Sequence, residues 1–350
     1  MGSSAAPPRH ALTLEDVAKV AGVSRATVSR VINDVQTVDP AIRRVVQETI
    51  DAMGYVPNQA ARSLVTRRTG TVALIASEPQ NRTFPEPFFE RVFTDPFFGR
   101  VASGALRVLH EAGIQLMLSP VEDDASREQL VRYLRQGHVD GVLHISGDAE
   151  DPIPELLCRY GIPAALLSRP PHPLPINFVH LDQQAGGRLA GEHLVARGCR
   201  QLATITGPAD MRVSSERLLG FREALIAGGI QDLASAEGMF TRDSGEEAMA
   251  RLLAEHPDID GVFIANDLMA EGAMPVLRES GRRVPQDVAV VGFDDSSAAK
   301  ACRPQLTTVR EPVEDMAAEM ATLLLRQIRE PDAEPQSVDY KPTLVVRQSA

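Results

Sequence analysis

The chain has 350 residues, 43% apolar and 24% charged, a composition that fits about two ordinary globular domains and excludes a disordered chain or a mini-domain. No apolar stretch approaches the roughly 18 residues of a membrane span, and Met1-Gly2-Ser3-Ser4-Ala5-Ala6-Pro7-Pro8 has no apolar core of signal-peptide type, so a cytoplasmic location is expected. The net charge of −11 argues against a polyanionic partner until it is divided: residues 1–70 hold nine Lys/Arg against six Asp/Glu and the rest 27 against 41, a basic head on an acidic body.

After a leader over 1–11, Thr13-Leu14-Glu15-Asp16 opens a helix as a capping box with an acid in the dipole-favoured first turn, and the helix runs to Val20. Ala21-Gly22-Val23 breaks it, and Ser24 caps a second helix reaching Asn33. With Ala18 small at the crossing and Val23, Val28 and Val31 facing inward, the pair reads as a helix-turn-helix. A third helix starts at Asp39-Pro40, cap then N1 proline, is expected to bury Ile42, Val45, Val46, Ile50 and Met53, and stops at Gly54. Arg25, Thr27, Ser29 and Arg30 cannot face inward while the valines do, so they form the groove-facing set of a recognition helix; the alternative is a solvated face on a plain three-helix bundle.

Thr13 to Ser24 with Thr27-Val28-Ser29-Arg30-Val31-Ile32-Asn33, followed by Gly54-Tyr55-Val56-Pro57-Asn58-Gln59-Ala60-Ala61-Arg62-Ser63-Leu64, resembles the DNA-binding domain and hinge of the LacI/GalR family of bacterial transcription regulators. The resemblance implies a homodimer on a pseudo-palindromic DNA operator. It puts Arg25 and Ala26 at two base-selecting positions and Arg30 at a general contact to base or phosphate, with further DNA contacts from Thr13, Ser24, Thr27, Ser29, Asn33, Asn58, Ala61 and Leu64. Gln59 to Leu64 is under two helical turns, too short to be stable alone, and is expected to fold only on DNA. Leu64 next to Arg67 and Arg68 suits a wedge into a minor-groove step; the alternative is that it packs on the body. The head therefore spans 12–56 and a hinge and linker 57–70.

From Thr71 on, strand-length apolar runs alternate with helical stretches: 72–76, 116–118, 141–145, 164–167, 202–205, 261–264 and 288–293. Fully apolar strands separated by helices form parallel sheets covered on both faces, and so many strands predict two doubly wound α/β lobes over 71–350 with a ligand crevice at the strand ends. The first lobe is expected over about 71–168 and 300–329, the second over about 169–299 and 330–350. Between Ser77 and Gly99, Glu78 to Phe98 reads as a long loop rich in proline and phenylalanine. Cys158, Cys199 and Cys302 are far apart and fit neither a disulfide framework nor a zinc ribbon.

Residues at the strand ends carry the binding chemistry: Asn266-Asp267 and Asp294-Asp295 offer amides and carboxylates suited to vicinal hydroxyls, and Arg217 begins a helix aimed at the same crevice. Asn266 and Asp267 also read as helix caps, Arg217 as one half of a surface ion pair, and Phe97 and Phe98 equally as core. The body resembles the same family's core, itself similar to periplasmic sugar-binding proteins, and this implies effector contacts from Arg217 and Asp294, and from Asp182, Phe240, Asn266, Ser168 and Phe98. The insertion, Val65-Thr66-Arg67-Arg68-Thr69-Gly70 and Arg242-Asp243-Ser244-Gly245 are similar to the actinobacterial branch that senses oligosaccharides such as cellobiose or maltose.

His110, His138, His144, His180 and His193 are scattered, and there is no G-x-S-x-G elbow, phosphate loop or H-E-x-x-H, so catalysis, a metal site and a cofactor are not expected. A sugar-binding protein of transport would lack the helix-turn-helix. Within regulation, a nucleobase effector remains open through Phe97, Phe98 and Phe240, as does a phosphorylated corepressor protein. No leucine heptad follows the last strand, so a dimer is expected rather than a tail-built tetramer.

Overall fold

In the computed structural model, which describes residues 12–33, 35, 37–56, 68–77, 87–147 and 150–350, the chain divides into two units, Met1–Thr69 and Gly70–Ala350. Local chemistry sets each helix of the first unit. Helix α1 (Leu14–Ala21) starts with a Thr13/Asp16 capping box and ends at Gly22, φ 67°. Helix α2 (Arg25–Ile32) is capped by Ser24, and α3 (Pro40–Met53) by Asp39 with proline at its start and Gly54 at its end. Val17, Ala18, Val28, Val31, Val46, Ile50 and Tyr55 close one core, with Val23 and Met53 partly buried against it. Ile42 and Val45, expected inside, are 39% and 43% exposed. The eight-residue α1 and α2 are each about 12 Å long against about 21 Å for α3, so the core takes the C-terminal half of α3 and leaves its first turns uncovered.

The second unit contains β1 (Thr71–Ser77), α4 (Phe88–Thr94), α5 (Pro96–Glu111), β2 (Gln115–Val121), α6 (Asp124–Arg135), β3 (Gly141–Ser146), α7 (Ile153–Arg159), β4 (Ala164–Leu167) and β5 (Asn177–Leu181). It continues with α8 (Gln183–Ala196), β6 (Leu202–Thr206), α9 (Arg212–Ala227), β7 (Ala234–Glu237), α10 (Arg242–Glu255), β8 (Gly261–Ile264) and α11 (Asp267–Glu279). Last come β9 (Ala289–Asp294), α12 (Ser297–Ala301), β10 (Thr307–Arg310), α13 (Val313–Arg329), β11 (Ser337–Tyr340) and β12 (Thr343–Val345). Two six-stranded sheets result, ordered β11-β5-β4-β3-β1-β2 and β12-β10-β9-β8-β6-β7. Among the described residues every strand pairing is parallel except β10 with β12.

The chain passes between the sheets after β5, after β10 and after β11. These crossings correct the expected lobe limits: β5 and β11 belong to the first sheet and β10 to the second. Edge strands such as β11 and β12 are half exposed and lack an unbroken apolar run, so their membership depends on which neighbour they pair with. The 78–98 segment is corrected as well, because Phe88–Thr94 is helical and Asp95 caps α5 ahead of Pro96. Phe88 and Val92, one turn apart, bury against Ala76 and Phe98.

Helices α8 and α9 cross backbone to backbone. A Cβ at Gly187 would overlap the Arg217 carbonyl oxygen, and one at Gly220 the Gln184 carbonyl oxygen, so these glycines let Gln183 and Arg217 share one position in the cleft. Gly220→Ala is expected to lower the stability of the second unit by about 1–3 kcal/mol in urea unfolding, because two helices must separate to admit one methyl. An unchanged midpoint would contradict the crossing. Among the described residues no helix is long and apolar enough to cross a membrane.

Candidate functional site

In the first unit, Ser24 Oγ accepts from Thr27 N at 3.1 Å and lies 2.9 Å from Thr27 Oγ1, so both hydroxyls serve the cap. Thr13 is likewise engaged with Asp16, at 2.8 Å. Arg25, Ala26 and Arg30 are exposed on α2, while Ser29 and Asn33 are half-buried and 3.5 Å apart through Asn33 Nδ2. Recognition-helix residues that are exposed and one turn apart have the geometry to reach base edges. Asn58, Ala61 and Leu64 lie outside the described residues.

In the second unit a cavity of about 340 Å³ opens between the two sheets at the carboxyl ends of their strands. Arg217 is its most constrained member, only 5% exposed. Its Nε donates to Gln183 Oε1 (2.7 Å), Nη1 to the Ala265 carbonyl (2.6 Å) and Nη2 to Glu311 Oε2 (3.0 Å), and the guanidinium stacks 3.6 Å from the Phe293 ring centroid. The fork expected to point at a ligand therefore ties together α8, the end of β8 and the crossing after β10. A surface ion pair is excluded.

Asp294 is the opposite case. At φ 110° it holds a strained backbone, its carbonyl accepts from Arg100 Nη1 at 3.0 Å, and its carboxylate accepts no hydrogen bond from any described residue. The nearest cation is Arg217 Nη1 at 3.6 Å. Burial pushes Asp294 well above the usual carboxylate range, against the pull of Arg217. Its neighbour Asp295 bonds Arg310 Nε at 2.7 Å and Arg347, fastening β10 and the C-terminal strand, and so leaves the cavity to Asp294.

Asn266 lines the cavity and also caps α11: Oδ1 accepts from Met269 N at 2.9 Å and Nδ2 donates to the Phe240 carbonyl at 3.1 Å. Asp267 is fully buried on Thr308 and Ser296, and burial raises it to about 7. Phe240, φ 60°, presses on Gly207, where a Cβ would overlap its ring. Phe98 lines the wall, with edge-on contacts to Phe88 and Phe97 at 6.0 and 5.5 Å, and Ser168, half-buried, lines the same cavity. Asp182 does not line the cavity. It is exposed and caps α8 by accepting from Ala185 N at 2.9 Å, and the inward position falls to Gln183, one residue on.

Several lining residues had no sequence signal of their own. Asp95 caps α5 through Phe97 N (2.9 Å), and burial raises it to about 6 against that bond and against Arg91 and Arg100. Arg91 stacks 5.3 Å from the Phe88 ring, and burial lowers it to about 10. His180 and Glu216 face the same space. The cap pattern at Asp95-Pro96 was the one usable hint. Behind the wall, Arg100 grips both oxygens of Glu314 (2.8 and 2.9 Å) and the Glu311 carbonyl (2.9 Å) besides Asp294.

Carboxylate acceptors, an amide and aromatic faces around a cavity of this size can hydrogen-bond and stack on a small organic ligand. No group of three or more His, Cys, Asp or Glu among the described residues is placed to hold a metal. His144 is buried between Ser77 Oγ (3.0 Å) and Asp151 (3.1 Å), and burial lifts Cys302 to about 12, far from a thiolate.

A helix-turn-helix unit followed by a two-lobed α/β unit with an interlobe cavity defines a ligand-binding DNA-binding regulator. Residues 13–58 match the family described as bacterial regulatory proteins, lacI family, and residues 191–350 a periplasmic binding protein-like domain. The chain is 45% identical over 342 residues to the HTH-type transcriptional regulator CelR of Thermobifida fusca, covering 96% of this chain and 98% of that one. It is 32% identical to the ribose operon repressor of Escherichia coli K12, covering 97% and 99%. Among solved structures it resembles a transcriptional regulator CelR–cellobiose complex (TM-score 0.74, 43% identity, 97% and 100% covered) and the lac repressor dimer bound to operator and the anti-inducer ONPF (TM-score 0.83, 28%, 97% and 99%). The chain belongs to the lacI family of bacterial regulatory proteins: it is a DNA-binding transcription regulator and not an enzyme.

Proposed function

We propose that this regulator represses from a pseudo-palindromic operator as a homodimer in the cytoplasm and is released when an oligosaccharide of cellobiose type occupies the interlobe cavity. The observation that carries this reading is the half-buried Asp294 carboxylate, which lines the cavity, accepts no hydrogen bond from the described residues and has only the Arg217 guanidinium beside it at 3.6 Å. A partly desolvated carboxylate whose hydrogen-bonding capacity is unfilled costs free energy unless a ligand satisfies it, and sugar hydroxyls are donors of the right kind. Asn266 and Ser168 line the same cavity, Phe240 and Phe98 supply faces for the ring C–H groups, and Arg217 holds the frame. The similarity to a regulator solved with cellobiose supports the same ligand class.

On the first unit, Arg25 and Ala26 select bases and Arg30 contacts base or phosphate, with Thr13, Ser24, Thr27, Ser29 and Asn33 around them; Asn58, Ala61 and Leu64 complete the set in the hinge. Coupling between effector and operator of about 1–3 kcal/mol, or 5- to 150-fold in affinity, suffices for such a switch. The test is a thermal-shift screen of the protein against mono- and disaccharides and purines, since a ligand of the folded state raises the midpoint by mass action. Cellobiose or a related disaccharide is expected to raise it and to weaken operator binding. A purine response without a sugar response would overturn the sugar reading.

A further inference from the structure

We infer that Glu15 is a positioning residue for Arg25 and thereby makes guanine the base read at the first turn of the recognition helix; the inference rests on Arg25 occupying a base-selecting position. Glu15 lies in the first turn of α1, and Arg25 is the first residue of α2. Their ion pair runs from Glu15 Oε1 to Arg25 Nε at 3.0 Å, with side chains 59% and 69% exposed. The two terminal nitrogens of Arg25 have no partner among the described residues.

A carboxylate beside a DNA-facing helix is repelled by phosphates unless a cation neutralises it, and here the cation is the base-selecting residue itself. An ion pair this exposed contributes almost nothing to stability, so its consequence lies in where it holds the guanidinium. The fork is rigid and planar. With Glu15 Oε1 3.0 Å from Nε, the carboxylate stands in the way of the approach that uses Nε and one terminal nitrogen and leaves the end-on pair Nη1 and Nη2 without a partner among the described residues. Guanine O6 and N7 offer two adjacent acceptors that match this pair; adenine sets an N6 donor against it, and neither pyrimidine has two adjacent acceptors in the major groove.

The experiment is selection of binding duplexes from a randomised library by the full chain and by its Glu15→Ala, Glu15→Gln and Arg25→Ala variants. It is accompanied by each protein's affinity for a fixed non-specific duplex and its thermal midpoint. The wild type is expected to select guanine at one position in each half-site by about 5- to 150-fold over other bases, and Arg25→Ala to erase that preference. Glu15→Ala should reduce the preference at least threefold at that position alone, with the thermal midpoint unchanged and non-specific affinity unchanged or higher, and Glu15→Gln should keep part of it. Loss of a charge by itself shifts affinity uniformly over all sequences, so a position-specific change separates positioning from electrostatics.

If Arg25→Ala leaves the selected sequence unchanged, Arg25 does not select a base and the role of Glu15 falls with it. If Arg25→Ala erases the preference and Glu15→Ala does not weaken it, the positioning role alone is overturned. A lost cytosine preference in Glu15→Ala, with the guanine intact, would make Glu15 a direct reader and likewise overturn it.

Discussion

Arg217→Met is expected to cost the second unit about 3–5 kcal/mol, the usual consequence of removing one partner from a buried ionic network. The substitution keeps most of the side-chain volume but strips the donors from Gln183, the Ala265 carbonyl and Glu311, and removes the cation nearest Asp294. Glu311 is 4% exposed and would stay buried with no cation on it. Since whole domains are stable by only about 5–15 kcal/mol, urea unfolding should show a large fall in midpoint, and effector binding should be lost with it. Arg217→Lys should recover part of the stability, because one ammonium can reach one acceptor but cannot span three. A loss below about 1 kcal/mol in the methionine variant would mean that the network is far more solvated than its burial indicates.

Asp294→Asn separates binding from stability. The amide keeps the shape of the side chain, and asparagine tolerates positive φ, but the charged acceptor is gone. Effector affinity is expected to fall by about 1.5–3 kcal/mol, the range for hydrogen bonds to a charged group, while folding stability holds or rises. The pH dependence has two opposite signs. Burial places the folded-state pKa of Asp294 above its unfolded value, so the folded state binds the extra proton between the two; the corresponding stability is present below about pH 4 and is lost as pH rises through the folded pKa. Asp267, raised to about 7, and Asp95, raised to about 6, add slopes of the same sign. Ligand hydroxyls require the ionised carboxylate as acceptor, so effector binding should tighten over the range in which stability falls. Calorimetry over a pH series rising from about 4 should show that tightening in the wild type and its absence in Asp294→Asn; a wild-type affinity independent of pH throughout the series would remove Asp294 as the charged acceptor.

Arg217 and Asp294 also mark the limit of what could be read in advance. Both positions stand out from the sequence and both line the cavity, but three N–H groups of Arg217 are bonded to the protein, a framing role that the sequence does not show, whereas the Asp294 carboxylate is left open to the cavity. Asp182 and Gln183 exchanged places for a local reason: the first residue of the pair is claimed as the helix cap, which turns the second inward. Arg100 was silent because its partner is distant, Glu314 lying 214 residues away.

The sequence by itself determined the features whose causes are local: the capped starts at Thr13, Ser24 and Asp39, the glycine stops at 22 and 54, and the apolar runs that became β1, β3, β4, β6, β8 and β9. A cap, a turn and a buried strand are each set by a few neighbouring residues, so they can be recognised without the rest of the molecule. Only the tertiary structure decided which sheet receives β5, β10 and β11, that Asp295 is held by Arg310 and Arg347, and that Glu15 stands against Arg25. Each of these depends on pairing, burial or charge contributed by another element, and a hydrogen bond or ion pair between two elements leaves no periodicity in either one.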